Sequence, residues 1–417
     1  MRCVAAALVC LAVAAGAATP AAAVVGAACF RAERRLDRFE GHALERCGSA
    51  AGCTPTQEAR HARLERRFTD RCVALNQVQV LGTHNSYHVQ PRPELLAALL
   101  DISPVFEAWE YTHRPLGEQL DLLGVRQVEI DVYADPAGGL FAERAGLAVI
   151  GLDPTGPPDL LLPGMKVLHV QDLDFETTCL SLIACLDAIR TWSDVHPSHL
   201  PVMILIEAKD DPIPDTGGLH FAVPVPFGPA EFDALDVEIR SVFPPERLIT
   251  PDDVRRGMPT LEAAVLGRGW PSLRDARGKV LFALDNGGAK RDAYRAGHPS
   301  LAGRVLFTDA EPGDDDAAFV KENDPLADPA RIPALVAAGY IVRTRADADT
   351  VQARSGDTTQ RDAALASGAQ FVSTDYPEAD ADLGTGYVVQ IPDGAPARCN
   401  PVSGPAGCRT AALEPLP

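Results

Sequence analysis

The stretch Gln127-Val128-Glu129-Ile130-Asp131-Val132-Tyr133 decides how the whole chain is read. In an extended strand successive side chains point to opposite faces, so Glu129, Asp131 and Tyr133 share one face and Val128, Ile130 and Val132 the other. In a barrel wrapped by helices the aliphatics must meet the helices and the carboxylates must face the interior. Working outward, seven further β-rich runs alternate with segments of helical pattern: Val78 to Thr83, Lys166 to Val170, Val202 to Ile206, Lys279 to Leu284, Arg304 to Phe307, Tyr340 to Thr344 and Gln370 to Ser373. With Gln127 to Val132 they make eight, which predicts an α/β fold, a (β/α)8 TIM barrel rather than an open doubly wound sheet. No glycine-rich phosphate loop follows any of them, so no nucleotide is expected as a ligand.

Charged groups interrupt the apolar runs where active sites of such barrels sit, at the C-terminal ends of the strands. The first run ends in Thr83-His84-Asn85-Ser86-Tyr87-His88, the third places His169 and Gln171 on one face, and the fourth places Leu205, Glu207 and Lys209 on one face. One histidine at a strand end is usually a packing residue. Three carboxylates brought together, however, would repel and raise each other's pKa unless a cation sat among them. Oxygen donors from Glu, Asp and Asn favour a hard ion, calcium first outside the cell and magnesium second. Two histidines and a lysine beside such an ion suit phosphodiester cleavage, in which one imidazole protonates the leaving oxygen and the other neutralises charge on the phosphorus.

The 417 residues carry 38 Lys+Arg against 57 Asp+Glu, a formal charge of −19. That balance argues against nucleic acid as partner and against a general attraction to anionic lipid, so membrane contact should be apolar and local. The candidate is Pro91 to Tyr111, with Leu95, Leu96, Leu99, Leu100, Val105, Phe106 and Trp109, which could equally be an amphipathic helix packed on the barrel. Residues 1–23 read as a signal peptide: Arg2, an apolar run to Ala17, then small residues. Its removal would leave a secreted or periplasmic chain. Of the ten cysteines, Cys3 and Cys10 fall in that leader, and the remaining eight suit four disulfides in an exported protein. Residues 24–74 are expected to form a helical hairpin whose equal arms pair Cys29 with Cys72 and Cys47 with Cys53. Cys179 with Cys185 and Cys399 with Cys408 are local pairs, the last closing the tail of a barrel domain spanning 75–417. A lipidated Cys29 is the weaker alternative.

The order His-Asn, Glu-x-Asp, His, Glu-x-Lys resembles the calcium-dependent phosphatidylinositol-specific phospholipase C family in its secreted bacterial branch. The resemblance runs from about Leu75 to Cys408. It is carried by Leu-Gly-Thr-His-Asn-Ser-Tyr-His at Leu81 to His88, Gln-Val-Glu-Ile-Asp-Val-Tyr at Gln127 to Tyr133, Arg-Gly-Lys-Val-Leu-Phe at Arg277 to Phe282 and Phe-Val-Ser-Thr-Asp-Tyr-Pro at Phe371 to Pro377. It implies His84 and His169 as the catalytic pair, Asn85, Glu129, Asp131 and Glu207 as calcium ligands, and Lys209 as a contact to phosphate or inositol. By similarity the inositol 2-hydroxyl attacks phosphorus, giving diacylglycerol and an inositol cyclic phosphate. Arg343 and Arg345, alternating on the seventh run, are expected to bind a ring phosphate or to salt-bridge the acidic mouth. Tyr133 and Asp375 are further expected substrate contacts, Asp375 through a ring hydroxyl. The expected partner is a phospholipid at a membrane surface, met transiently by a monomer. Two other readings remain open. One is a glycerophosphodiester phosphodiesterase or sphingomyelinase-D-like enzyme, whose first motif is typically His-Arg-Gly rather than His84-Asn85-Ser86. The other is a barrel that only binds lipid.

Overall fold

A computed structural model describes residues 26–50, 54–214 and 217–414. Its strands are β1 (Val78–Thr83), β2 (Gln127–Tyr133), β3 (Lys166–Val167), β4 (Val202–Ala208), β5 (Val280–Leu284), β6 (Leu306–Thr308), β7 (Phe319–Lys321), β8 (Ile341–Arg345), β9 (Phe371–Thr374) and β10 (Ala397–Cys399). Eight of them run parallel in the order β6-β5-β4-β2-β1-β9-β8-β7, and a pairing of Asp309 with Phe319 joins the two ends, so the barrel is nearly closed. Val128, Ile130 and Val132 are fully buried in the hydrophobic core. Registers place Asp131 opposite Glu207 and Glu129 opposite Leu205 across β2 and β4, which brings the carboxylates of two staves to one level. A Cβ on Gly82 would lie 1.9 Å from the Gln127 side chain, so only glycine lets β1 and β2 approach this closely.

One of the eight expected staves needs correction, and one stave was missed. Lys166 to Val170 is not a barrel strand: only Lys166 and Val167 are extended, and they pair antiparallel with the end of β2. The chain then folds back tightly, with the His169 amide donating to the Asp174 carbonyl and Asp172 taking a positive φ of 65°. The eighth stave is instead β7, which is only three residues long and follows an acidic turn, too short to show alternation. Glu207 and Lys209 therefore extend from the third stave of the barrel, and His169 projects from a loop over it.

The N-terminal hairpin consists of α1 (Ala27–Cys47) and α2 (Pro55–Cys72). Gly48, in the left-handed region at φ 66°, ends α1, and the Thr54 side chain accepts the Gln57 amide to start α2. Cys29 and Cys72 are bonded as the equal arms require, as are Cys179 with Cys185 and Cys399 with Cys408. Cys47 is also disulfide-bonded, while Cys53 and the segment 1–23, expected to be a signal peptide, lie outside the described residues. The hairpin is tied to the end of the barrel where strands begin. Arg277 pairs with Asp70 at 2.7 Å just before β5, and Arg409 reaches Glu65 at 2.8 Å and Glu40 at 3.0 Å.

After β1 the segment 91–111 forms α3 (Pro93–Ile102) and a 3-10 turn, Pro104–Trp109. Leu95, Leu96 and Leu99 are buried, whereas Ile102 and Val105 stand 75% and 65% exposed. Among the described residues no helix is long and apolar enough to cross a membrane.

Candidate active site

Asn85 closes β1 with a positive φ of 43°, a conformation asparagine tolerates better than most residues. Next to it, Ser86 exchanges hydrogen bonds with the backbone of Glu129, locking the end of β1 against β2. Across this corner Glu129, Asp131 and Glu207 each offer an oxygen within 4.8 Å of the others. Asn85 Oδ1 and both carboxylate oxygens of Asp131 are buried without a hydrogen-bond partner. Buried acceptors left unpaired are costly, and an oxygen-only set of this kind matches what calcium takes. Asn85, Glu129, Asp131 and Glu207 therefore fit the ion. Lys209 lies 3.5 Å from Asp131 and 3.4 Å from Glu207.

The electrostatics point the same way. Burial, only partly offset by Arg343, pushes Glu129 up to about 7. Asp131 is raised well above the usual carboxylate range by burial and by Glu207. Burial works against the Lys209 ammonium, but Asp131 and Glu207 outweigh it and hold its pKa above normal. Calcium needs ionised carboxylates, so its binding must displace protons held by this group. Apparent calcium affinity should therefore fall as pH drops below about 7, by up to about tenfold per pH unit for each proton displaced. Calorimetric titration at pH 8 and pH 6, in buffers of different ionisation enthalpy, checks this. Equal affinity with no proton release would contradict it.

Each of the two imidazoles expected to form the catalytic pair is oriented by a buried carboxylate. His84 Nδ1 donates to Asp375 Oδ1 at 2.8 Å, while Arg345 donates to His84 Nε2 at 3.2 Å and to Asp375 Oδ2 at 3.0 Å. Burial, with Arg345 beside it, pushes His84 down to about 3, so the ring is neutral and Nε2 is an acceptor. Despite burial, His84 and Arg345 hold the Asp375 carboxyl below its ordinary value. His169 Nδ1 donates to Asp174 Oδ2 at 2.6 Å, and burial lowers its pKa although Asp174 opposes the shift. His88 also contacts Asp174, at 2.9 Å, and its other ring nitrogen meets the Tyr111 carbonyl.

Both imidazoles line one cavity of about 260 Å³ with Arg345, Asp349, Asp375, Phe106 and Trp109. His84 Nε2 lies 3.8 Å from Glu129 Oε1, so the cavity adjoins the oxygen cluster. Three expected contacts sit differently. Arg343, 1% exposed, donates to Glu129 at 2.5 Å and to Asn323, which is the salt-bridge reading of that residue. Arg345 is the arginine at the cavity. The Tyr133 hydroxyl donates to Gln171 at 2.9 Å with the His169 carbonyl 3.2 Å away, so it braces the His169 loop. Asp375 is occupied by His84 and Arg345 rather than open to a ring hydroxyl. Asp174 escaped the sequence reading; its position five residues after His169 in the polar turn Gln171-Asp172-Leu173-Asp174 was the available cue.

A parallel barrel with an oxygen-only cation cluster beside two carboxylate-held imidazoles is equipped for metal-assisted cleavage of a phosphodiester. Residues 73–401 match the family model described as phosphoinositide phospholipase C, Ca2+-dependent, and the chain belongs to that family. It is thus a calcium-dependent phospholipase C acting on phosphatidylinositol, a phosphoric diester hydrolase, which decides against the other two readings. No curated protein matches. Among solved structures, the calcium-dependent phosphoinositol-specific phospholipase C of a Pseudomonas species is 16% identical over 79% of this chain and 96% of its own, with a TM-score of 0.48. The calcium-dependent phosphatidylinositol-specific enzyme of Streptomyces antibioticus is 20% identical over 73% of this chain and 95% of its own, at 0.45.

Proposed function

We propose that this chain is an exported monomeric enzyme that splits phosphatidylinositol-type lipids into diacylglycerol and an inositol cyclic phosphate, with His84 and His169 as its acid–base pair. The observation that carries the reading is the shared cavity, where two imidazoles, each fixed by a buried carboxylate, adjoin the Glu129, Asp131 and Glu207 cluster, with the unpartnered Asn85 Oδ1 at the end of β1 as the further donor. Asn85, Glu129, Asp131 and Glu207 would hold calcium, which when bound would supply positive charge beside the phosphoryl group and favour ionisation of a nearby hydroxyl. With Arg345 turned from Nε2 to the phosphoryl group, the neutral His84 takes the proton of the inositol 2-hydroxyl on Nε2 as the hydroxyl oxygen bonds to phosphorus. His169, entering this step as the imidazolium with its Nδ1–H held by the Asp174 carboxylate, gives the Nε2 proton to the diacylglycerol oxygen as the old phosphorus–oxygen bond breaks and is left neutral. Arg345 and Lys209 offset negative charge on the phosphoryl group and hold the ring. Water opens the cyclic product in a second step. Incubation with acyl-labelled phosphatidylinositol should release labelled diacylglycerol; labelled phosphatidic acid would contradict the assignment of the cleaved bond.

Export and transient membrane contact belong to the same reading. The three described disulfides suit an oxidising compartment. Phe106 packs on Trp109 at 4.7 Å between ring centres, and Trp109 meets the edge of His169 at 5.8 Å, so this pair forms an apolar lip on the cavity beside exposed Ile102 and Val105. Burying about 100 Å² of apolar surface there contributes roughly 2.5 kcal/mol at about 25 cal/mol per Å². Trp109→Ala should then lower activity on vesicles several-fold more than activity on a soluble short-chain substrate. Equal losses on both, with a lower melting temperature, would make the segment core alone.

A further inference from the structure

The acidic total conceals a segregated basic element. Residues 26–74 hold ten arginines and no lysine against seven carboxylates, a net of +3, so all other residues together carry −22. The carboxylates Glu40, Glu65 and Asp70 are drawn into contacts with His61, Arg409 and Arg277. Among the described residues, none of the ten arginines lies within 4 Å of a carboxylate. Six of them converge on one groove of about 770 Å³ between the helices: Arg35, Arg38 and Arg46 from α1, and Arg60, Arg63 and Arg67 from α2. Their spacings of three, four or multiples of about one turn set them as two facing rows, with Phe39, Ala43 and Leu64 between.

Holding six like charges along one cleft is unfavourable unless an anion neutralises them. Arginine is also the side chain suited to bidentate contact with phosphate. We propose that this groove binds a linear phosphate-bearing polyanion, with its phosphates running between the two rows. Two observations favour an extended polymer over the substrate bilayer. The rows run along a cleft rather than forming a flat patch. The hairpin also joins the barrel where strands begin, beside Arg277 and the Arg409 tail, whereas His84 and the Trp109 lip lie where strands end. With its mouth on a bilayer, the enzyme would turn the groove away from that surface. That orientation rests on the proposed function, whereas the arginine rows do not, since the family match begins at residue 73.

The probe is long-chain inorganic polyphosphate, titrated into the full-length mature protein over a range of salt concentrations. The intact protein should bind, and Arg38→Gln with Arg63→Gln should weaken binding at least about tenfold. The slope of log affinity against log salt should become shallower by about one to two, at roughly 0.7–0.9 for each phosphate no longer neutralised. Arg34→Gln with Arg66→Gln removes the same charge outside the groove and should change affinity less than about threefold. Thermal melts and phosphatidylinositol hydrolysis in detergent micelles should match for all variants. Absent binding at physiological salt, or equal loss in the two double variants, would overturn the proposal. Equal or tighter capture by phosphatidylcholine vesicles containing phosphatidylglycerol, abolished in the same groove variant, would overturn it in favour of a lipid-docking surface.

Discussion

His169→Ala and His84→Ala should each lower turnover on phosphatidylinositol by roughly 10²- to 10⁴-fold, the range for a positioned proton donor or acceptor. The effect follows from their surroundings. His169 has one ring nitrogen committed to Asp174 and lines the cavity with the other side of its ring, so removing it leaves the leaving oxygen without a nearby acid. His84 is the neutral partner, held between Asp375 and Arg345. Steady-state kinetics on both variants, with thermal melts beside them, checks this. His113 supplies a control, since its Nε2 meets only the His84 backbone carbonyl at 2.8 Å and burial pushes its pKa down to about 4. A loss of about 10²-fold or more for His113→Ala, with His169→Ala near wild type, would contradict the pair.

Asp131→Asn should reduce calcium affinity by at least about tenfold, the scale recorded even for losses outside the coordination sphere, and bring turnover down with it. Asp131 is the cleanest place for this test because both its carboxylate oxygens lack hydrogen-bond partners. Asparagine has nearly the same shape and brings no charge. Glu129→Gln should also weaken the ion by at least about tenfold. It additionally strips the buried Arg343 of its charged partner, so its effect on stability should be the larger of the two. Calcium titration followed by calorimetry reads the affinity directly, and wild-type affinity in Asp131→Asn would remove this residue from the ion site.

How much of this could be read from the sequence depended on run length and on charge placement. β2 was legible because seven residues alternate without interruption, and its carboxylates could face only inward. β7 was not, because three residues following an acidic turn carry no periodicity that sets them apart from a loop. Lys166 to Val170 misled because an apolar, β-branched run satisfies the strand pattern whether it pairs with a barrel neighbour or folds back on β2. His169 still reaches the strand-end rim, since the fold-back also delivers it there. The motifs named the imidazoles but not what orients them: Asp174 and His88 meet His169 only through the loop's tertiary course. Arg343 and Arg345 looked equivalent by alternation, and only packing sent one to Glu129 and the other to His84. Summing charge over the chain hid the hairpin, whose arginines are outnumbered everywhere else.

The most direct test of the calcium-dependent cleavage proposed for this site is phosphorus NMR of phosphatidylinositol incubated with wild type and with Asp131→Asn, each with calcium and with excess chelator. The proposal predicts that the lipid phosphodiester resonance gives way first to an inositol cyclic phosphate resonance, then more slowly to a phosphomonoester. It further predicts that this occurs only for wild type with calcium. Equal rates of cleavage in excess chelator, or a phosphomonoester formed with no cyclic precursor, would contradict it.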